Sequence, residues 1–356
     1  MTRELTSSPT LEPLELEAPR AGEVLVEVVA CGVCHTDLLA PQLGPLPQVA
    51  GHEGSGRVLE VGAGVTKFQP GDAVALTFGS CGACPTCTRH EPAYCHEAHH
   101  LQFGFERAGG GNALRAEDGS VVHGSFFQQS AFATHVLATE RNAVRLPAGM
   151  PVDLAAPLGC GVQTGYGAVT RTLAVPTGAG LVIFGAGSVG LSAVMAAANT
   201  GVDPIVAVDV VPKRLELAEE LGATHVIRAS DRVVGDVLAI CRSGADFSLE
   251  CAGQRQSFNA AIEVLAPLGT CGLVTVPDAG QPIPFEPLSL LTKGRKLVGV
   301  LEGSSVPDEF IPELCQLYLA GKLPYDRLVR RFPFSQVAEA LRGVEDGSVV
   351  KPLLVM

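Results

Sequence analysis

The sequence predicts an α/β protein in which a doubly wound parallel sheet accompanies a separate, β-rich domain. At 356 residues, the chain is longer than one ordinary hydrophobic core can serve, so two domains are expected. Apolar residues make up 47 % of the chain and charged residues 17 %, as in a well-buried globular protein. The 41 glycines and 25 prolines indicate many tight turns and therefore many strands.

Short β-like runs between glycines characterise the first part of the chain. Residues 22–31 begin with alternating apolar and polar side chains, as a half-buried strand does. Similar runs occupy residues 57–61, 73–76 and 131–137. This part therefore predicts an irregular, β-rich domain.

From about residue 175 onward, strand and helix patterns alternate. The apolar run 181–184 is typical of a buried parallel strand, and a helix-length segment, 189–200, follows a glycine turn. The alternation continues with strands at 205–208, 225–227, 247–250 and 272–276 and with helices at 212–221 and 256–265. This order predicts the doubly wound sheet. Amphipathic helices at 309–320 and 336–344, the second capped by Ser335, then precede an apolar strand at 351–356.

Charge and hydropathy exclude several classes of protein. With a formal net charge of −12, the chain repels phosphate backbones, so nucleic-acid binding is not expected. Residues 1–20 lack the apolar region of a secretory signal, and no window of ~18 apolar residues predicts a transmembrane helix. We therefore expect a cytoplasmic protein without membrane contact, whose cysteines stay reduced and serve metal binding or catalysis where they cluster.

A glycine-rich turn follows the strand at 181–184 and opens the next helix. Its residues are Gly185, Ala186, Gly187, Ser188, Val189 and Gly190. The glycines allow the backbone to approach a pyrophosphate, and the helix N-terminus supplies N–H donors. Asp209 ends the next strand, where its carboxylate can accept both ribose hydroxyls and would repel a 2′-phosphate. NAD is therefore favoured over NADP, although the nearby Arg214 could tolerate a phosphate.

Four cysteines within fifteen residues predict a closed metal site. They are Cys81, Cys84, Cys87 and Cys95. Two-residue gaps let a turn direct two sulfurs at one ion, and four thiolates complete a tetrahedral zinc site. An iron–sulfur cluster is the alternative use of four thiolates. Because a closed site has no free position, its role is structural.

Three further candidate ligands are scattered along the chain. They are Cys34, in Cys34-His35-Thr36-Asp37; His52, which precedes Glu53; and Cys160, between two glycines. Taken singly, each has an ordinary explanation, since a lone cysteine is more often a small core residue than a ligand. Spacing alone does not join them. Five other cysteines are expected to be packing residues: Cys31, Cys241, Cys251, Cys271 and Cys315.

Taken together and in this order, the motifs resemble those of the zinc-containing medium-chain alcohol dehydrogenases. The similarity rests on Cys-Gly-Val-Cys-His-Thr-Asp at 31–37, Gly-His-Glu-Gly-Ser-Gly at 51–56, the four-cysteine loop, Gly-Cys-Gly-Val-Gln-Thr-Gly-Tyr-Gly at 159–167 and the glycine turn. Within that family, the chain looks similar to bacterial aryl-alcohol (benzyl alcohol) and geraniol dehydrogenases. The resemblance implies a GroES-like, zinc-binding catalytic domain of residues 1–161 and 302–356, into which an NAD-binding Rossmann domain, 162–301, is inserted.

The resemblance also implies a catalytic zinc with one open position. Its ligands would be Cys34, His52 and Cys160, with Glu53 as a possible alternate ligand and Asp37 orienting the His52 ring. An alcohol would bind at the open position as an alkoxide and pass a hydride to the nicotinamide. The expected cofactors are therefore two Zn²⁺ per chain and NAD(H).

Proton transfer and cofactor contacts follow from the same resemblance. Thr36 would accept the alcohol proton. Where many members have a histidine three residues later, this chain has Leu39, so the proton would leave through the cofactor ribose and His35 or through water. Further cofactor contacts would come from His35 and Lys351 at the pyrophosphate, Thr164 beside the nicotinamide, Arg214 near the adenosine ribose, and Val276.

Five positions match the substrate pocket of the family. They are Thr77, Phe126, Phe127, Val276 and Leu301, each of which could equally be a core residue. Two aromatic rings among aliphatic side chains favour a flat or apolar alcohol. The expected reaction is the reversible, NAD-dependent oxidation of primary aryl or allylic alcohols to aldehydes.

Two other classes of function remain open at this point. One is another zinc dehydrogenase, acting on secondary or aliphatic alcohols, polyols or a thiol adduct of formaldehyde. The other is a cofactor-binding protein without catalysis. The family pairs edge strands of its cofactor domains, here residues 297–301, so a homodimer or homotetramer is expected.

Overall fold

The computed structural model of the protein describes residues 1–5, 8–275 and 286–356. It divides into two units. Unit 1 comprises Met1–Gly161, Val306–Gly321 and Tyr325–Met356, and unit 2 comprises Val162–Ser305 and Lys322–Pro324. Val276, which the sequence assigns to the cofactor and substrate sites, lies outside the described residues.

Ten of the sixteen strands in the described residues lie in unit 1, whereas strands and helices alternate in unit 2. In chain order, the strands are β1 (Leu14–Leu16), β2 (Glu23–Gly32), β3 (Glu53–Val61), β4 (Ala73–Leu76), β5 (Leu114–Ala116), β6 (Val121–Val122), β7 (His135–Thr139), β8 (Ala143–Arg145), β9 (Leu181–Phe184), β10 (Ile205–Asp209), β11 (His225–Arg228), β12 (Ala245–Glu250), β13 (Leu265–Leu273), β14 (Lys296–Gly299), β15 (Val329–Pro333) and β16 (Lys351–Val355). The helices are α1 (His35–Leu43), α2 (Pro85–Thr88), α3 (Ala98–Phe103), α4 (Gly161–Gly167), α5 (Ser188–Thr200), α6 (Pro212–Glu220), α7 (Val233–Ile240), α8 (Arg255–Glu263), α9 (Pro287–Lys293), α10 (Pro307–Leu319) and α11 (Val337–Glu345). Among the described residues, no helix has both the length and the apolar character needed to cross a membrane.

The main sheet of unit 1 is centred on β2 and β3, which pair antiparallel over most of their length. Its strand order is β15-β16-β2-β3-β4-β8, and β7 also pairs with β2. One face of β2 packs with β4 in a buried core that includes Val24, Val26, Val28, Val74 and Leu76. The sheet positions two predicted site residues, because β3 begins at Glu53, next to His52, and β16 begins at Lys351.

Unit 2 contains a six-stranded parallel sheet of order β11-β10-β9-β12-β13-β14. All four residues of β9 are buried, as expected for a central parallel strand covered on both faces. The strand order reverses its direction between β9 and β12, so the carboxyl end of β9 is the switch point at which such sheets bind ligands. The predicted doubly wound sheet is confirmed, and the glycine turn lies at this end of β9.

One expected strand of unit 1 is shorter than the sequence pattern indicates. The run 131–137 becomes β7 only from His135 onward. The backbone N–H groups of Ala131 and Phe132 bond instead to the carbonyls of Gly51 and Ala50, at 2.8 and 3.0 Å. Residues 131 and 132 therefore bind the loop that precedes β3 and do not extend β7.

Two helix boundaries also differ from expectation. The helix predicted over 256–265 ends at Glu263, and β13 begins at Leu265, well before the strand expected at 272–276. The expectation that Ser335 caps the last helix is wrong. Ser335 lies inside a 3₁₀ turn, Phe334–Gln336, and α11 begins only at Val337.

Candidate active site and metal centres

The three scattered candidate ligands meet in unit 1. Ligand atoms of Cys34, His52, Glu53 and Cys160 all lie within 4.8 Å of one another. Cys34 precedes α1, His52 lies just before β3, Glu53 is the first residue of β3, and Cys160 follows the 3₁₀ turn Asp153–Gly159. The fold thus assembles a cluster of two sulfurs, one imidazole and one carboxylate that no sequence spacing indicates.

Asp37 fixes the orientation of the His52 ring. Its Oδ1 accepts from His52 Nδ1 at 2.8 Å and from the Gly51 N–H at 3.2 Å, and its Oδ2 accepts from the Cys34 N–H at 2.9 Å. The other ring nitrogen, Nε2, is buried and has no hydrogen-bond partner of ordinary geometry in the part of the chain that the structure describes. A lone pair placed in this way suits a metal ion, so the cluster fits zinc.

The charges in the cluster favour the thiolate form of Cys34. A hydrogen bond with Cys160 and the neighbouring His52 lower the pKa of Cys34 well below its ordinary value, although burial opposes this shift. Burial alone lowers the pKa of His52, but the charges of Asp37 and Cys34 outweigh it and raise that pKa well above its ordinary value. Because zinc binds thiolate and neutral imidazole, its binding would displace a proton from the cluster.

Lys351 forms an ion pair with Glu53 within unit 1. Its Nζ donates to both carboxylate oxygens of Glu53, at 2.7 and 2.9 Å, and to the Val33 carbonyl at 3.3 Å. Lys351 and Glu53 are both buried. Gly32 leaves the space for this pair, since a Cβ atom there would lie 2.0 Å from Glu53 Oε2. The contact of Lys351 with the cofactor pyrophosphate stays a prediction.

The expected proton acceptor lies beside the metal ligands. The Thr36 hydroxyl is 3.7 Å from Cys34 Sγ at the start of α1. His35 is exposed on the same turn, and so is Leu39, with 48 % of its surface accessible. Thr36 is therefore the residue of these three that lies next to the cluster, and His35 is the one with an ionisable side chain.

Two phenylalanines of the predicted substrate pocket contact the His52 ring. The Phe127 ring stacks on it with centroids 4.6 Å apart, and the Phe126 ring meets it edge-on at 5.6 Å. Phe126 is fully buried and packs against the cluster. Thr77 is fully buried as well, and its hydroxyl donates to the Gly159 carbonyl at 2.8 Å, next to Cys160. Both residues therefore lie against the cluster, and their role in the substrate pocket stays a prediction.

Phe103 extends this aromatic group, although no sequence pattern marks it. It ends α3, is half-buried, and meets Phe127 edge-on with centroids 5.3 Å apart. Phe103 is partly accessible to solvent, and Phe127 keeps 4 % of its surface accessible. We call these two rings the aromatic side of the cluster.

The four-cysteine loop forms a second cluster, within which all sulfurs lie less than 4.8 Å apart. Backbone N–H groups point at the sulfurs, as the Cys81 N–H does at Cys95 Sγ (3.2 Å) and the His96 N–H at Cys84 Sγ (3.5 Å). A hydrogen bond from the Thr86 hydroxyl, together with the N–H groups of His96 and Cys87, lowers the pKa of Cys84 to about 5. Four converging sulfurs leave no open position, so this cluster fits a structural zinc.

In unit 2, the glycine turn has the geometry of a dinucleotide site. Gly185 has φ +96°, and a Cβ atom there would lie 2.8 Å from the Ala252 nitrogen. A Cβ atom on Gly190 would lie 1.8 Å from the Gly185 oxygen, whereas Gly187 faces open space at the start of α5. Ser188 and Val189 form the first turn of this helix, whose N–H groups are available to an anion.

The other predicted cofactor residues of unit 2 lie in several elements. Asp209 ends β10, and its carboxylate accepts from the Ala186 N–H at 2.7 Å, which places it beside the glycine turn. Arg214 is 4.0 Å from the same carboxylate. Thr164 is nearly buried in α4, and Leu301, just after β14, is 41 % exposed.

Comparison with known proteins agrees with these features. Residues 20–148 match the family described as the alcohol dehydrogenase GroES-like domain, and residues 188–319 match the family described as zinc-binding dehydrogenase. The chain is 41 % identical to a geraniol dehydrogenase from Castellaniella defragrans, over 97 % of this chain and 94 % of that protein. The chain therefore belongs to the zinc-binding alcohol dehydrogenases with a GroES-like domain.

Solved structures extend the comparison. An alcohol dehydrogenase zinc-binding domain protein from Burkholderia ambifaria superposes with a TM-score of 0.96, at 46 % identity and over 99 % of this chain and 97 % of that one. A benzyl alcohol dehydrogenase from Acinetobacter calcoaceticus superposes with a TM-score of 0.91, at 41 % identity and over 96 % and 94 % of the two chains. The protein is a zinc-dependent alcohol dehydrogenase that uses a nicotinamide cofactor, as predicted from the sequence.

Proposed function

We propose that the protein oxidises primary aryl or allylic alcohols to aldehydes, reversibly and with NAD. The observation that carries this substrate class is the aromatic side of the metal cluster, where Phe127 stacks on His52 and Phe103 meets Phe127 edge-on. Flat, unsaturated groups pack well against such rings. Two similar proteins are named geraniol dehydrogenase and benzyl alcohol dehydrogenase, which accords with this class.

Within unit 1, we propose that Cys34, His52 and Cys160 hold the catalytic zinc. When bound, zinc supplies Lewis acidity and the nicotinamide supplies the hydride acceptor. Asp37 holds the His52 ring in one tautomer, so that Nε2 faces the cluster. Glu53, engaged by Lys351, keeps a carboxylate within reach as an alternate ligand.

The Thr36 hydroxyl accepts the proton of the alcohol, because it is the hydroxyl beside the ligand Cys34. With Leu39 exposed and unable to carry a proton, the proton passes to His35 or to water at the surface. Phe126 and Phe127 keep water away from one side of the His52 ring.

Unit 2 would bind NAD(H). The N–H groups at the start of α5 would receive the pyrophosphate, and Asp209 would bind the ribose hydroxyls. The resulting assignment is a zinc-binding catalytic domain in residues 1–161 and 302–356 and a cofactor domain in residues 162–301. Cys81, Cys84, Cys87 and Cys95 would hold the second, structural zinc.

We further propose a cytoplasmic homodimer, or a tetramer built from it, that associates through β14. This strand is at the edge of its sheet, and the leucines around it are exposed: Leu268 by 74 %, Leu291 by 79 % and Leu297 by 39 %. Exposed apolar residues along an open edge favour pairing with a second chain. Light scattering tests this by comparing the molar mass of wild type with that of Leu297→Lys. If the chains associate through β14, the variant should dissociate; an unchanged molar mass would refute this interface.

The substrate proposal is tested by measuring kcat/KM for benzylic, allylic, short aliphatic and secondary alcohols, with NAD and with NADP. We expect benzylic and allylic alcohols to exceed short aliphatic ones by roughly 10–200-fold, the range that apolar pocket contacts provide. Comparable rates for secondary or short aliphatic alcohols would refute the proposed class. A parallel series of formaldehyde with a low-molecular-weight thiol distinguishes a thiol-adduct enzyme, and metal analysis should find two zinc ions per chain.

A further inference from the structure

Gln129 connects the loop that carries His52 to the neighbouring strand. This residue is buried, with 2 % of its surface accessible, and both polar atoms of its side chain form hydrogen bonds. Nε2 donates to the His52 carbonyl at 2.8 Å and to the Thr77 carbonyl at 3.1 Å, and Oε1 accepts from the Gly54 N–H at 2.9 Å. The amide thus holds the backbone on both sides of Glu53 and ties it to the end of β4.

The backbone around Gln129 is strained. Four nearby residues that are not glycine have positive φ: Ser125 (+60°), Phe127 (+53°), Gln128 (+57°) and Ser130 (+56°). Such conformations are unfavourable for residues with a side chain and persist only where the surroundings enforce them. Here they bring the Phe127 ring onto His52 and the Gln129 amide onto the backbone of the same residue.

Hydrogen bonds from this segment continue along the loop before β3. The Ser130 hydroxyl donates to the Val49 carbonyl at 2.6 Å, and the N–H groups of Phe132 and Ala131 donate to the Ala50 and Gly51 carbonyls. With Gln129 added, the segment holds the backbone from residue 49 to residue 54. Asp37 holds the loop from the opposite side, through the Gly51 N–H and the His52 ring.

We propose that Gln129 is a positioning residue for the catalytic metal, acting through the His52 backbone. A metal ligand must keep its donor atom within about 0.2 Å of the ideal distance, so a loose peptide at His52 would weaken the site. Asp37 sets the rotation of the ring, and Gln129 sets the position of the backbone from which the ring extends. This inference rests on the proposed role of His52 as a zinc ligand.

The adjacent Gln128 provides a matched control. It has the same side chain and is similarly buried, with 4 % accessibility, but its Nε2 donates to the carbonyls of Leu101 and Glu106, at 3.1 and 2.9 Å, away from the ligand loop. Gln128→Met and Gln129→Met remove comparable numbers of buried hydrogen bonds from the same segment. A merely structural role predicts similar effects, whereas a positioning role predicts an effect of Gln129 on the metal.

The test measures zinc content and the rate of zinc release to a chromogenic chelator in the full-length holoenzyme, together with the absorption spectrum after cobalt substitution. For Gln129→Met, we expect one of two zinc ions to leave about 10–100-fold faster than in wild type, with altered cobalt bands. Gln128→Met should lower the melting temperature and release zinc within about twofold of wild type. Gln129→Glu, which keeps the size and the acceptor for the Gly54 N–H but loses both donors, should also release the catalytic zinc faster.

Equal zinc release and cobalt spectra in the Gln128 and Gln129 variants would overturn the inference. It would also be overturned if both Gln129 variants failed to fold while Gln128→Met folded, because Gln129 would then serve the fold as a whole. Wild-type protein that holds a single zinc would instead refute the proposed catalytic site itself, so the two failures are distinguishable.

Discussion

Replacing Asp37 with asparagine should weaken the catalytic metal site, and the size of the effect follows from its hydrogen bonds. The two carboxylate oxygens accept from three groups: His52 Nδ1, the Gly51 N–H and the Cys34 N–H. Asparagine has one oxygen and one NH₂ group, so in either orientation the NH₂ group faces a buried donor. An unsatisfied buried donor costs about 1–3 kcal/mol, which corresponds to a factor of roughly 5–150 in an equilibrium constant.

The assay for Asp37→Asn is zinc affinity by competition with a chelator, followed by kcat for benzyl alcohol at saturating zinc. We expect the catalytic site to lose affinity by that factor while the four-cysteine site retains its zinc. Asp346→Asn, a change at an exposed turn, is the control and should leave both sites unchanged. Wild-type affinity and turnover in Asp37→Asn would show that the carboxylate does not orient His52 and would refute the reasoning.

Three further changes have defined outcomes. Thr36→Ala should lower kcat for alcohol oxidation by about 10²–10⁴ if this hydroxyl accepts the proton, and unchanged turnover from pH 6 to 10 would exclude it. Asp209→Asn removes the charge that repels a 2′-phosphate, so the kcat/KM ratio of NAD to NADP should fall about tenfold, and an unchanged ratio would contradict the ribose assignment. Although burial raises the pKa of Glu23, the Arg107 guanidinium outweighs it and lowers that pKa below its ordinary value of 4.5. Since the folded-state pKa is lowered, the stabilisation by this pair is fully present above the ordinary pKa of 4.5 and is lost as the pH falls from there through the folded-state pKa. Glu23→Gln should therefore reduce the free energy of unfolding by about 2–3 kcal/mol at pH 7 and by less near pH 3, measured by urea denaturation at both pH values.

Sequence patterns predicted the elements of unit 2 better than those of unit 1. In unit 2, β9 has the expected bounds and β10 exceeds the expected run by one residue, because burial on both faces of a parallel strand produces a continuous apolar run. The run 131–137 has the same appearance, but its first two residues bond to residues 51 and 50, which lie 80 and 82 positions earlier. Pairing at that distance depends on topology, which a local pattern does not contain.

The two metal clusters differ in the same way. The four-cysteine cluster is local in sequence, so its spacing predicts it directly. Cys34, His52 and Cys160 are joined only by the fold, and their assignment rested on family resemblance until the structure brought them together. Lys351 and Gln129 show the limit of both approaches, since their roles come from hydrogen bonds to residues 298 and 77 positions away.

The wide separation of these residues affects how the enzyme is made. The four-cysteine loop is complete within fifteen residues, so it can bind its ion as soon as it leaves the ribosome. The other cluster lacks Cys160 until that residue is synthesised, and it lacks the counter-charge of Lys351 for another 191 residues. At about 5–20 residues per second, that interval lasts on the order of 10–40 s. During it, the Cys34 thiol lacks one of the charges that lower its pKa, so the complete charge environment of this cluster forms only once nearly the whole chain has been made.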